Sequence, residues 1–191
     1  MKSNKGLVTT KHSLLRHTLF GAISGLAAGI IMTPFLMLIG VIMGIDPNTI
    51  SIARGMAFGF NNDNNNALIV GLVMHLLTST VIGIIFAILV TKVNRLKISG
   101  YKKGLIEGII MGIVVFAILY IPTTLVMIQP QLHILISQNN PALSQTQTQI
   151  LGENMLVTSL GFLAHIVYGV VLGSMTTFLL RRGLPKPPIL R

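Results

Sequence analysis

Four separate apolar runs, each long enough to cross a lipid bilayer, constrain this chain more than any other feature of its sequence. A helix rises 1.5 Å per residue, so ~30 Å of hydrocarbon is crossed by about 20 apolar residues. Runs of that length occupy residues 18–45, 67–91, 104–128 and 155–180. Backbone amides in hydrocarbon must find partners within their own element, which leaves helices for spans of this kind. The expected fold class is therefore all-α integral membrane, with four transmembrane helices in one membrane domain over residues 1–191. Composition agrees, since 52% of residues are apolar and only 9% charged, where a soluble domain carries roughly a quarter charged. The first run continues well past the length of a signal-peptide core, so it reads as an uncleaved span.

Charge then orients the spans. Fourteen Lys+Arg against four Asp+Glu give a formal +10, which in a soluble chain would suggest nucleic acid. Here the basic residues lie between apolar runs, where charge reports topology, and no nucleic-acid partner is expected. Lys2, Lys5, Lys11 and Arg16 precede the first span, and Lys92, Arg95, Lys97, Lys102 and Lys103 separate the second from the third. Arg181, Arg182, Lys186 and Arg191 follow the fourth, leaving Arg54 alone on the opposite side. The positive-inside rule predicts a multi-pass protein of the cell membrane. Both termini and the 92–103 loop are expected to be cytoplasmic, and the 46–66 and 129–154 loops outside. Having no cysteine, the chain forms no disulfide and offers no thiolate to a metal.

The spans carry an internal pattern. Gly71, His75, Ser79 and Gly83 repeat every fourth residue in the second, as Gly161, His165, Gly169 and Gly173 do in the fourth. Gly21, Gly25 and Gly29 in the first span correspond to Gly104, Gly108 and Gly112 in the third, and each of those helices later carries a proline, Pro34 or Pro122, as a candidate kink. The expected architecture is a tandem duplicated hairpin, a parallel repeat with halves at about 13–95 and 99–183. Small residues at four-residue spacing let helix backbones approach closely, so these glycines and Ser79 are read first as packing residues.

With Gly25, Gly29, Met32 and Thr33 in the first helix and His75, Ser79 and Gly83 in the second, the chain resembles uncharacterised small four-span prokaryotic integral membrane proteins. The resemblance covers the spans and implies architecture only, because no agreed activity travels with those motifs.

Between the first two spans, Asp46-Pro47 introduces Ile50, Ala53, Met56, Ala57 and Phe60 at helical spacing, which predicts a short helix at the outer interface. The second outer loop is expected to run over 129–154. It begins with apolar Leu132–Ile136, turns at Asn139-Asn140-Pro141 and stays uncharged until Glu153.

His75 and His165 are the sharpest chemical candidates, because ionisable side chains inside a bilayer are costly. Facing one another, they would make a polar pair or hold a metal or haem; as neutral imidazoles they would donate to a neighbouring helix. No cofactor is otherwise expected. His12 and His17 are cytoplasmic and His133 lies in an outer loop, so no third ligand stands at comparable depth. Glu107, near the cytoplasmic end of span three, is one turn from Lys103, which suggests an interfacial ion pair. Met32, Met37, Met43 and Met74 do not form the close extracellular cluster that soft copper needs. No phosphate loop, nucleophile elbow, zincin helix or paired buried carboxylates are present, so the chain is not expected to be an enzyme by itself.

Three function classes remain. The first is a non-catalytic accessory or structural subunit of a larger membrane complex, its partners the bilayer and other subunits or further copies of itself. The second is a small-solute or ion transporter, suggested by the repeat and the prolines. The third is a haem- or metal-binding redox protein using His75 and His165.

Overall fold

Helices account for every regular element among the described residues of the computed structural model, which are 5–42, 46–60, 63–139 and 155–182. Helix α1 (Lys5–Ile42) is followed by the short α2 (Thr49–Ala57), by α3 (Asn64–Lys92) and by a 3-10 turn at Asn94–Leu96. Helix α4 (Tyr101–Val115) then runs on through a π-helical segment (Phe116–Tyr120), α5 (Ile121–Thr123), a second π-helical segment (Thr124–Ile128) and α6 (Gln129–Asn139). Helix α7 (Met155–Arg182) completes the described chain. Four stretches are long and apolar enough to span a membrane: Leu14–Ile42, Asn64–Lys92, Tyr101–Leu132 and Thr158–Arg182. This is a multi-pass helical membrane architecture.

Helix α1 packs along α3, α4 along α7, and α1 also lies against α7, whereas α3 and α4 barely touch. Met32, Leu36 and Ile39 of α1, Ile82, Phe86 and Val90 of α3, and Tyr168 and Leu172 of α7 fill the space between them. Because successive spans alternate in direction, Arg16, the turn from Lys92 to Lys103, and Arg181 and Arg182 gather at one end of the bundle. There the guanidinium of Arg181 sits 4.9 Å above the Tyr101 ring, and that of Arg182 4.1 Å from the Phe178 ring.

At the other end a second, smaller cluster joins Ala53 and Met56 of α2, Ala67 of α3, Ile128, and Leu132 and Leu135 of α6. Here the structure departs from the sequence expectation. Leu132–Ile136 is not the start of a loop but part of α6, and Leu132 and Leu135 are buried. The reason is tertiary: an apolar stretch after a span is indistinguishable from a loop by periodicity until α2 supplies the surface that covers it. The turn at Asn140-Pro141 and the polar run 144–149 lie outside the described residues.

Helix α2 starts later than its Asp-Pro signal suggests. The carboxylate of Asp46 accepts the Asn48 amide at 2.7 Å and its carbonyl accepts the Thr49 amide at 3.0 Å, so Asp46 closes the turn before the helix and Asn48 is the N-cap. Gly59, with φ +92°, turns the chain out of α2 in a conformation costly for any residue with a Cβ. Asp63 then caps α3 by accepting the Asn65 amide at 2.8 Å.

Candidate functional site

The two hairpins cross on glycine. A Cβ at Gly21 or Gly25 would strike the backbone of α3 at Ser79, Gly83 and Ile84, and one at Gly83 would strike Gly21 and Gly25 in return. In the second hairpin, Gly104 meets Thr177 and Gly173, Gly108 meets Gly169 and Gly173, and Gly112 meets the carbonyl of His165. Gly29 sits over the Ser79 side chain. Two members of the ladders serve other contacts. Gly71 admits the carbonyl of Ser51 from α2, and Gly161 makes room for the Tyr120 ring. Gly55 of α2 lies likewise on the backbone of Ala67. The four-residue spacings Ser51–Gly55 and Ala67–Gly71 thus seat α2 directly on the first turns of α3, beside the spans rather than on top of them.

That seating creates a cavity of about 300 Å³ between α1, α2, α3, the π-helical stretch of the third span, and α7. Its wall is mainly apolar, from Met32, Leu36, Met74, Ile82, Leu119, Met127 and Ile128 among others, with Arg54, His75, Thr78, Ser79, Tyr120, Thr123, Thr124, His165 and Tyr168 interspersed. Small-molecule sites are commonly of this size and composition, mostly apolar with a few convergent polar groups. Both π-helical segments contribute to it. Pro122 lies between them, has no amide hydrogen to give the preceding turn, and the widened turns on either side absorb that loss. Pro34 lies within α1, which continues through it; next to it, Thr33 Oγ1 donates to the Gly29 carbonyl at 3.0 Å.

The two histidines line this one cavity, each already engaged. His75, 8% exposed, donates through Nε2 to the Gly29 carbonyl of α1 at 3.2 Å. His165, 6% exposed, donates through Nδ1 to the Gly161 carbonyl one turn back in its own helix at 2.7 Å. A carbonyl can only accept, so each bond fixes which nitrogen carries the proton and leaves the other as an acceptor. The His165 ring is also packed edge-on against Tyr120 at 4.8 Å and Phe116 at 5.6 Å. A metal or haem at this pair would have to take His75 Nδ1 and His165 Nε2. Among the described residues no group of three His, Cys, Asp or Glu gathers to complete a centre.

Arg54 is the residue that sequence reasoning passed over. From α2 it reaches the same cavity, and although the side chain as a whole keeps some exposure, its Nη1 is buried with no hydrogen-bond partner. Burial pushes its pKa down to about 10, which still leaves it cationic at neutral pH. No Asp or Glu is among the described residues lining the cavity. Thr124 Oγ1, buried on the same wall, lies close to the Tyr120 hydroxyl. The signal for Arg54 was present in its isolation: one cation on the side the charge bias leaves empty, within an apolar helix. Lys103 and Glu107 lie far from this site. Lys103 Nζ donates to the Arg95 carbonyl at 3.0 Å and makes no ion pair with Glu107 among the described contacts.

Comparison of the chain with protein-family models, curated proteins and solved structures finds no match. The functional reading therefore rests on the geometry of the cavity.

Proposed function

We propose that this chain is a small-solute-binding membrane protein of transporter type, which holds its solute in the cavity between α2 and the spans. One observation carries the reading: Arg54 Nη1, a buried cationic donor without a protein partner, borders a cavity that the buried Thr124 hydroxyl also lines. Leaving a buried cation without a protein partner is costly, and such groups in membrane proteins mark ligand or ion pathways. The π-helical wall supports it further, since such turns recur at functional sites and proline-interrupted spans border binding sites in transporters.

The tandem duplication belongs to the same proposal. Gly25 and Gly108 are each met by residues 90 positions apart, Ser79 and Gly83 in one hairpin and Gly169 and Gly173 in the other. The halves are not packed equivalently, because α1 lies along α7 while α3 barely meets α4, and the cavity occupies the looser side. We place the basic end in the cytoplasm of the cell and the cavity in the outer half of the bilayer.

The chain has no tryptophan, so Met74→Trp puts a single fluorescent reporter on the cavity wall. Solutes that enter the cavity should shift or quench its emission. A folded reporter protein that responds to no charged or neutral solute of this size would overturn the proposal.

A second reading, an accessory subunit of a larger complex, is favoured by the third span, of which 17% of the most apolar window is buried against between 39% and 44% in the others. Stoichiometric partners after gentle solubilisation would support it.

A further inference from the structure

We infer that the ligand of this cavity is a small organic monoanion, a carboxylate or comparable acidic head on a short apolar body, with the head held by Arg54 and Thr124. The inference rests on the cavity being a binding site and goes on to name what it binds. Arg54 Nη1 can only donate, is buried and has no protein partner, so the missing group is an acceptor, to which the buried Thr124 hydroxyl on the same wall can donate as well. No carboxylate of the described cavity wall supplies it, and a guanidinium is best answered by an anionic oxygen. The rest of the wall, including Leu119, Met127 and Ile128, is apolar and asks for a hydrocarbon or aromatic body. A cavity of about 300 Å³ lies at the small end of the range for small-molecule sites, which suits a short acid such as benzoate or hexanoate. The same head and tail could be presented by an acidic lipid, and the test separates the two sources.

The test uses the full chain carrying Met74→Trp in neutral detergent without lipid, titrated with benzoate, hexanoate, their uncharged amides, and chloride. The acids are expected to quench saturably, with the amides at least about tenfold weaker, and Arg54→Gln to weaken the acids by about tenfold or more and the amides by less. Arg54→Lys should retain a weaker preference for the acids. Competition by phosphatidylglycerol in nanodiscs, absent with phosphatidylcholine, would assign the acidic head to a lipid; no competition assigns it to a soluble acid. Amides that bind as well as acids, or a preference that survives Arg54→Gln, would overturn the anion assignment and leave the cavity proposal standing. Chloride acting alone as strongly as the acids would overturn the apolar body. Silence from acids and amides alike overturns both proposals.

Discussion

The hydroxyl of Tyr168 donates to the carbonyl oxygen of Ser79 at 3.0 Å, joining the fourth span to the second. Tyr168 is 2% exposed, and the Ser79 carbonyl it reaches is the one pressed against Gly25. One residue of the second hairpin thus holds the backbone at the crossing point of the first. Tyr168→Phe keeps the ring in place and removes only this bond. Hydrogen bonds between membrane helices are worth about 0.6 kcal/mol on average and at most about 1.7, so the variant should lose an amount in that range on reversible unfolding in bicelles. Unchanged stability would mean that the carbonyl is equally well served without the tyrosine.

The glycine crossings make a graded prediction. At Gly108 a Cβ would meet the Gly169 carbonyl and the Gly173 Cα, neither of which can move without shifting a helix. At Gly100 it would meet nothing within 4 Å. Gly108→Ala, and more so Gly108→Leu, should therefore separate α4 from α7 and lower the melting temperature sharply in detergent. Gly100→Ala should change stability by no more than about 0.5 kcal/mol, as surface substitutions do. Gly25→Leu should resemble Gly108→Leu, and equal tolerance at all three sites would mean that the spans do not cross on their glycines.

His75 and His165, which hold the same place in their two ladders, are used differently, and their variants should differ too. The bond of His75 joins α3 to α1, whereas that of His165 closes within α7. His75→Ala should cost on the order of 1 kcal/mol of bundle stability. His165→Ala should mainly loosen Phe116 and Tyr120, which pack on its ring, and disturb the cavity more than the bundle. Metal analysis and an absorption spectrum of the wild-type protein check the redox alternative, since a stoichiometric metal or haem lost in both variants would displace the hydrogen-bonding account.

The spans were legible because hydrocarbon imposes one rule on every residue within it, so apolar length alone locates Leu14–Ile42 or Asn64–Lys92. The glycine ladders were legible for a related reason: in a helix whose faces all meet apolar surroundings, a small residue every fourth position has few uses besides close approach. What the sequence hid was pairing. Gly71 and Gly161 continue their ladders in register, yet one receives α2 and the other an aromatic ring. Leu132 and Leu135 read as loop because their partner, α2, is a short helix far away in sequence. Arg54 stood out only as the lone basic residue on its side of the membrane. Its meaning lies in the cavity that α2 forms with residues up to 114 positions away, such as Tyr168, and no local pattern reports that distance.

The charge distribution leads to the last prediction. Thirteen of the fourteen basic residues precede the first span, lie between the second and third, or follow the fourth, and the helices bring the described ones to one end of the bundle. Lys and Arg in short loops are retained in the cytoplasm during insertion, so that end should be cytoplasmic and the end bearing α2 outside. The chain contains no cysteine, so one introduced thiol is the sole target for a membrane-impermeant reagent. Asn64, at the start of α3, and Ser99, in the turn before α4, are both exposed and lie at opposite ends. In intact cells Asn64→Cys should label and Ser99→Cys should label only after permeabilisation. The reverse pattern would invert the protein in the membrane, bring Arg54 and its cavity to the cytoplasmic side, and require the solute to be sought inside the cell.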